Sequence, residues 1–335
     1  MKYLEDVWTN PIFTVELIAT AMNFKSLIEL QDYFKDEKTC ITYYEQIRWN
    51  GSPVCPHCGS TEHYTLTKKV GNEKVRIGYK CANNKCYKKF NVKTGTIFDN
   101  TKIELRVWFQ SIFLATTAKK GISSLQLATQ IGVTQKTAWF VLHRVREMLK
   151  VEAPTMLGGE GAMVEADETY IGGKTKNKHA NKIIRDGEGR AIETKQTVLG
   201  LIERDGKVVL KHIKSANVPN MVPFVEKTVQ LGTRIFTDEA RVYDRLGKNY
   251  THNRVNHTLK VYVQGDIHTN TIENFWSVLK RGIYGIYHSV SEKHLERYLH
   301  EFSQRFNERH LTSQARFEKF LVRSDKRLKY EDLIA

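Results

Sequence analysis

Three acidic residues sit in contexts suited to phosphodiester chemistry. Asp167 lies in Met163–Ile171, which reads as a strand; Asp238 ends the β-type run that begins at Arg234; Glu273 lies in His268–Trp276, which opens a helix continuing through Leu279 and Lys280. Breaking a phosphodiester requires an activated water and a stabilised leaving oxygen, and two divalent ions about 3.5–4 Å apart can supply both. Mg²⁺ is a hard ion that prefers carboxylate oxygen and keeps several waters, so three carboxylates suit it, or Mn²⁺ in its place. Asp167 and Asp238 would hold the two ions, one of them bridging, and Glu273 would close the site from the helix. Lys280 follows Glu273 by seven residues, about two helical turns, so the two share a face and the lysine could hold a phosphate or a DNA end. Each acid has a rival reading. Glu165 shares the strand face of Asp167, whereas Glu168 points away. Glu239 competes with Asp238, and Glu273 could be the third residue of a capping box begun by Asn270. Trp276 is on the side of Glu273, where it could stack on a base or belong to the core.

The elements that must position these residues can be read around them. Thr197–Ile202 and Val208–Ile213 are strand candidates joined by Asp205 and Gly206, a strong hairpin turn. A helical stretch over 217–231, the strand ending at Asp238, a short helix, a strand near Thr251–His257 and long helices follow. The order is three antiparallel-type strands, a helix, a strand, a short helix, a strand and then helices. It predicts an α/β, ribonuclease-H-like core over 160–310, with a mixed sheet and packed helices. In that arrangement Asp167 on the first strand and Asp238 at the end of the fourth lie side by side.

Cysteines carry a second chemistry. Cys55 and Cys58 form a C-x2-C knuckle, and Cys81 and Cys86 form a second pair with four intervening residues, the two pairs being separated by 22 residues. Each knuckle offers two thiolates from one turn, and Zn²⁺ takes four in a tetrahedron, which leaves no open coordination position. Residues 51–98 are therefore expected to be a zinc ribbon holding one structural Zn²⁺. Gly59 follows the first knuckle, where the chain must turn sharply. Lys68, Lys69, Lys74, Arg76, Lys80, Lys85, Lys88 and Lys89 surround it, and a basic ribbon of this kind could lie against a phosphate backbone. Cys40 stands apart as an ordinary buried thiol.

Residues 102–150 return to helix. A short helix from Ser123 to Ile131, a turn at Gly132 and a second helix capped by Thr134 suit a helix-turn-helix. Its second helix would enter the major groove with Gln135, Lys136 and Thr137 at bases or phosphates. Residues 1–50 read as a helical region, with Leu27, Leu30, Tyr33 and Phe34 at helical spacing. The segment 311–335 reads as a charged, peripheral tail.

The chain has 335 residues and a net charge of +15. It is long enough for two or three domains, and its basic balance points to a polyanion, most simply nucleic acid. Its longest apolar runs fall far short of the ~18 residues that a membrane span needs. Glu5 and Asp6 stand where a signal peptide would carry none. The cysteines then belong in a reducing cytosol, and a cytoplasmic, nucleoid-associated protein is expected.

Taken together, Trp49–Cys58 with Cys81–Phe98, Thr116–Ser123, Val164–Lys174 and His268–Tyr287 resemble the DDE transposases of zinc-ribbon insertion sequences, bacterial and archaeal relatives of the eukaryotic Merlin elements. The likeness spans roughly 30–310. It implies catalytic Asp167, Asp238 and Glu273 followed by Lys280, with 34 residues between the last two acids, close to the spacing usual in that group. Some relatives carry Asn at the third position, which makes Asn270 the second choice. The second cysteine pair is wider than the common C-x2-C. The resemblance further implies double-stranded DNA as partner. The enzyme would bind terminal inverted repeats, nick the transposon ends and attack target DNA with the freed 3′-hydroxyls, as a homodimer or larger assembly. The basic stretch Lys174–Lys195, with Lys174, Lys176 and Lys178, is expected to be a loop gripping DNA. Two rival readings stand beside it. A DNA-binding regulator derived from a transposase would keep ribbon and helix-turn-helix but would not need the acids. A ribonuclease-H-like nuclease would share the metal chemistry without end-specific binding.

Overall fold

The computed structural model describes residues 24–151, 156–173, 180, 183, 195–238, 240–255 and 268–334. They form two units, one of residues 24–118, 123–149 and 311–334, the other of 119–122 and 150–310 as far as described.

In the first unit, α1 (Leu27–Tyr33) starts at a capping box in which Ser26 and Glu29 satisfy each other's amides. Helix α2 (Glu37–Trp49) starts at Asp36, whose carboxylate accepts the Thr39 amide at 2.7 Å. Strands β1 (His63–Val70), β2 (Glu73–Cys81) and β3 (Lys89–Phe90) make a three-stranded antiparallel sheet in that order. Helices α3 (Leu105–Thr117), α4 (Ser124–Ile131) and α5 (Gln135–Met148) follow. The α4–α5 turn is made by Gly132 in the left-handed conformation, φ 68°, and by Thr134, which accepts the Thr137 amide at 3.3 Å. Leu127 and Ala128 of α4 and Ala138, Val141, Leu142 and Val145 of α5 are buried.

An aromatic cluster holds this unit together. Phe34 packs edge-on against Phe109 at 4.9 Å between ring centroids, and Phe109 against Phe317 at 5.4 Å. Fully burying such a side chain contributes about 1.5–3 kcal/mol, with a further ~0.5–1.5 kcal/mol for edge-to-face geometry. Phe317 corrects one expectation: the C-terminal segment is not peripheral. Helix Ser313–Leu321 buries Phe317, Phe320 and Leu321, and the Ile97 amide donates to the Ser324 carbonyl at 2.9 Å. Lys319 is exposed, Glu318 is buried and accepts from the Tyr43 hydroxyl at 3.0 Å, and the apolar stripe at i, i+3, i+4 packs inward.

The second unit is built on five strands: β4 (Met163–Ile171), β5 (Gln196–Glu203), β6 (Val208–Ile213), β7 (Arg234–Thr237) and β8 (Thr251–Arg254). Their order in the sheet is β6-β5-β4-β7-β8, antiparallel from β6 to β4 and parallel from β4 to β8. This is the ribonuclease-H-like arrangement. The β5–β6 hairpin turns at Asp205, φ 57°, and Gly206. One sheet face packs on α6 (Val218–Thr228) through Val164, Ala166, Leu199, Leu201, Met221 and Val225. The other packs on α7 (Asn270–Gly282) and α8 (Glu292–Asn307) through Val198, Ile202, Ile272, Leu279, Leu299 and Phe302. The expected strand near Thr251–His257 is present as β8; Asn256 and His257 lie outside the described residues.

Candidate active site and metal centre

Parallel pairing of β4 with β7 brings two of the acids together. Glu165 lies opposite Phe236 in that pairing; two residues further along each strand come Asp167 and, just past the end of β7, Asp238. Helix α7 crosses this sheet end with Glu273 in its first turn and Lys280 in its last. The result is an open cleft of about 530 Å³, lined by Asp167, Glu168, Thr169, Asp238, Thr269, Glu273, Trp276, Ser277 and Lys280. The four side chains expected from the sequence thus share one cleft.

The carboxylates are held by directed hydrogen bonds. Trp276 donates from Nε1 to Asp167 Oδ2 at 2.8 Å. Tyr243 donates from its hydroxyl to Glu168 Oε2 at 2.8 Å. The Ala240 amide donates to Asp238 Oδ1 at 3.0 Å, and Thr269 donates from Oγ1 to Glu273 Oε1 at 2.9 Å. Burial pushes the Asp167 carboxyl up to about 7, with the charges of Glu168 and Asp238 adding to it and the Trp276 N–H opposing. Burial and the charge of Asp238 also raise Glu168, while the Tyr243 hydroxyl lowers it. Desolvated carboxylates facing one another are a donor set for hard divalent cations, which would neutralise that crowding. Among the described residues these oxygens do not converge as three within 4.8 Å; two ions 3.5–4 Å apart would need a wider set than one.

The rival acids separate. Glu165 shares the α7-facing side of β4 with Asp167 but does not line the cleft; it is completely buried and paired with Arg204 at 2.8 Å. Glu168 does project to the opposite side, toward Tyr243, yet it lines the cleft, which lies beyond the last β4–β7 pair, Glu165 with Phe236. Asn270 begins no capping box: Thr269 is the N-cap and makes no side-chain cap bond, and Asn270 is exposed and outside the cleft lining. Glu239, Lys174, Lys176 and Lys178 lie outside the described residues. Trp276 is buried and donates to Asp167, a role that its spacing from Glu273 did not reveal. Gly200, opposite Asp167 on β5, makes room for it, since a Cβ there would come within 2.5 Å of the indole.

The cysteines form a second centre. Cys55 Sγ is 3.8 Å from Cys86 Sγ and Cys58 Sγ is 3.5 Å from Cys81 Sγ, and all four lie within 4.8 Å of one another. A tetrahedral ion with Zn–S bonds of about 2.3 Å requires sulfur separations of about 3.8 Å, so these four residues could hold zinc. Gly59, φ 76°, closes the first knuckle with its amide on the Cys55 carbonyl at 2.8 Å. The extra residues of the wider pair form a turn in which the Cys86 and Tyr87 amides both donate to the Asn83 carbonyl. Cys40 is buried, with its thiol pushed up to about 12 by desolvation, and takes no part.

At the start of α5, Gln135 and Lys136 are exposed and Thr137 is half-buried. Gln135 donates from Nε2 to Ser124 Oγ at 2.8 Å, and the Thr137 hydroxyl lies 2.9 Å from that of Thr134.

Residues 156–307 match the family model for an ISXO2-like transposase domain, and residues 35–89 that for a transposase zinc-ribbon domain. A protein in transposable element ISH50 of Halobacterium salinarum is 28% identical over 281 residues, 81% of this chain and 91% of the relative. A transposase-like protein of Haemophilus influenzae is 31% identical over 117 residues, 35% of this chain and 91% of its own length.

Two measurements check these centres. Trp276→Phe removes the N–H that lowers Asp167, so the Asp167 carboxyl should titrate above its value of about 7 in a ¹³C NMR titration; an unchanged midpoint would refute the assignment of that hydrogen bond. Purified protein should carry one zinc per chain by elemental analysis. Cys58→Ser should lose the metal and the protease resistance of β1–β3 together.

Proposed function

Because the chain belongs to the ISXO2-like transposase family, we propose that it binds the terminal inverted repeats of its element, hydrolyses the DNA at the element's ends and joins the freed 3′-hydroxyls to target DNA. The observation that supports this most is the single cleft shared by Asp167, Asp238, Glu273 and Lys280 at the end of the sheet. Two Mg²⁺ or Mn²⁺ ions held by the three carboxylates would supply the activated water and the stabilised leaving oxygen. Trp276 keeps one Asp167 oxygen directed, and Thr269 does the same for Glu273. Glu168 lines the same cleft and is a further carboxylate available to an ion or its waters. Lys280, two turns along α7, holds a phosphate of the DNA end beside the carboxylates.

End recognition is assigned to the first unit. The N-terminal turn of α5 presents Gln135 and Lys136 to the major groove, and the hydroxyl of Thr137 shares its bonding with the cap. The zinc ribbon binds phosphates. Every residue from Thr67 to Val70 and from Glu73 to Ile77 is exposed, and Lys69 lies directly opposite Lys74. Like charges facing each other across strands destabilise a hairpin, and a phosphate backbone relieves that repulsion. Arg76 is excluded from this set because it is paired with Glu45 at 2.6 Å. Holding two ends at once calls for a dimer or a larger assembly on DNA.

Strand cleavage of DNA carrying the element's own ends, in Mg²⁺ or Mn²⁺, is the direct test. Wild type should nick at the ends and expose 3′-hydroxyls, and Asp238→Asn should bind the same DNA without cutting it. If wild type also binds without cutting in both metals, the DNA-binding regulator becomes the better account. Cutting without regard to the ends would favour a nuclease. Separately, alanine at Lys68, Lys69 and Lys74 should weaken end binding and flatten the dependence of log K on log salt by about 0.9 for each phosphate charge that the variant leaves unneutralised, as read by fluorescence anisotropy across a salt series.

A further inference from the structure

Glu165 stands two residues before Asp167 on the same face of β4, yet it serves a different partner set. Arg204 donates from Nε to Glu165 Oε1 at 2.8 Å, and Thr271 donates from Oγ1 to the same oxygen at 2.9 Å. The Ile272 amide donates to the other oxygen, Oε2, at 2.9 Å. Arg204 also donates from Nη2 to the His268 carbonyl at 2.8 Å, and its guanidinium lies 4.5 Å from the centre of the Phe236 ring. All of these bonds converge on the start of α7.

That helix begins without a cap of its own. The amides of a first turn have no partner inside the helix, and the helix dipole favours negative charge there. The local candidate, Thr269, makes no cap bond and spends its hydroxyl on Glu273. The cap comes instead from a strand more than 100 residues earlier in the chain. The residue after Ile272 is Glu273, and two residues after Glu165 comes Asp167. The buried carboxylate therefore ties together the same two elements that carry the proposed metal-holding pair.

We infer that Glu165 is a positioning residue: with Arg204 it pins the first turn of α7 to β4 and thereby sets where Glu273 stands relative to Asp167. The inference rests on the two-ion reading of the cleft. Apolar contacts along α7 hold the helix against the sheet, but they are non-directional. Hydrogen bonds to one amide and one hydroxyl add a rotation and an axial register. A slip of one residue would strand a buried carboxylate without its donors, which is strongly unfavourable.

The test uses the full chain with Glu165→Gln, Thr271→Val and Arg204→Lys. In Glu165→Gln the shape is kept, but an amide NH₂ replaces one acceptor and meets a donor in either orientation. Hydrogen exchange at the Ile272 amide should rise by at least about tenfold, while amides in β5 stay as in wild type. Affinity for Mn²⁺, read from the EPR signal of the free ion, should fall by a similar factor. End cleavage should lose about 10²-fold in kcat, the order expected for a 1 Å misplacement, with affinity for the DNA ends unchanged. Thr271→Val and Arg204→Lys should shift all three readings in the same direction by less, and they decide the matter should Glu165→Gln fail to fold. Unchanged exchange at Ile272 would overturn the inference. So would faster exchange with Mn²⁺ affinity intact, provided that Asp167→Asn abolishes it. Wild type that binds no Mn²⁺ would count against the two-ion reading instead, and exchange at Ile272 alone would then uphold or overturn the pinning of α7.

Discussion

Carboxylates repel one another, and the pairing of β4 with β7 forces several of them to one end of a sheet. Asp167 and Asp238 come together because two parallel strands run in a register that leaves no alternative. Glu168 and Glu273 then arrive at the same cleft from the other side of β4 and from α7. Much of the surrounding polar structure answers that crowding. An indole N–H, a tyrosine hydroxyl, a threonine hydroxyl and a backbone amide each take one carboxylate oxygen. They direct the oxygens, but burial, with the charges of Glu168 and Asp238 adding to it, still holds the Asp167 carboxyl near 7. The divalent ions proposed for the cleft would neutralise that crowding.

Strand β4 shows how such a site is built into a fold that also needs a core. Its alternation sends Val164 and Ala166 to the α6 side, and Glu165 and Asp167 to the α7 side. Two acids on a buried face would be costly unless each has donors. Glu165 has donors to both oxygens and no solvent, whereas Asp167 accepts from the Trp276 indole and the Glu168 amide and faces the open cleft. Two acids two residues apart on one strand face thus divide into a buried, ion-paired residue and a cleft-lining one by environment alone. Gly200 belongs to the same design, because only a residue without a side chain leaves space for the indole that reaches Asp167.

The first unit solves a different problem. Its hairpin is exposed over most of its outer length and buries little, and the four cysteine sulfurs within 4.8 Å could supply, through a zinc ion, what apolar area does not. Elsewhere the same unit relies on aromatic packing that draws residues from both ends of the described chain, Phe24 and Phe317 included. The family to which the chain belongs implies DNA as a partner, and the exposed basic ribbon and the exposed turn of α5 are the surfaces proposed to meet it.

Local chemistry was legible in the residues themselves. The cysteine spacing announced a zinc ribbon because a knuckle is a short-range object. Gly132 and Thr134 announced a turn between helices for the same reason, and the order of strands and helices carried the ribonuclease-H-like topology. The three acids and Lys280 could be named as candidates from the strands and the helix that carry them, and all four line one cleft. What the sequence could not decide were matters of distance between elements. Glu165 and Asp167 look equivalent by alternation, and only the approach of α7 and Arg204 separates them. The cap of α7, the donor to Asp167, the cleft position of Glu168 and the burial of Phe317 all depend on residues tens to hundreds of positions away. Pattern and spacing report the few residues that a helix turn or a strand step brings together, whereas hydrogen-bond partners and burial are set by the packing of whole elements, which only the tertiary structure fixes.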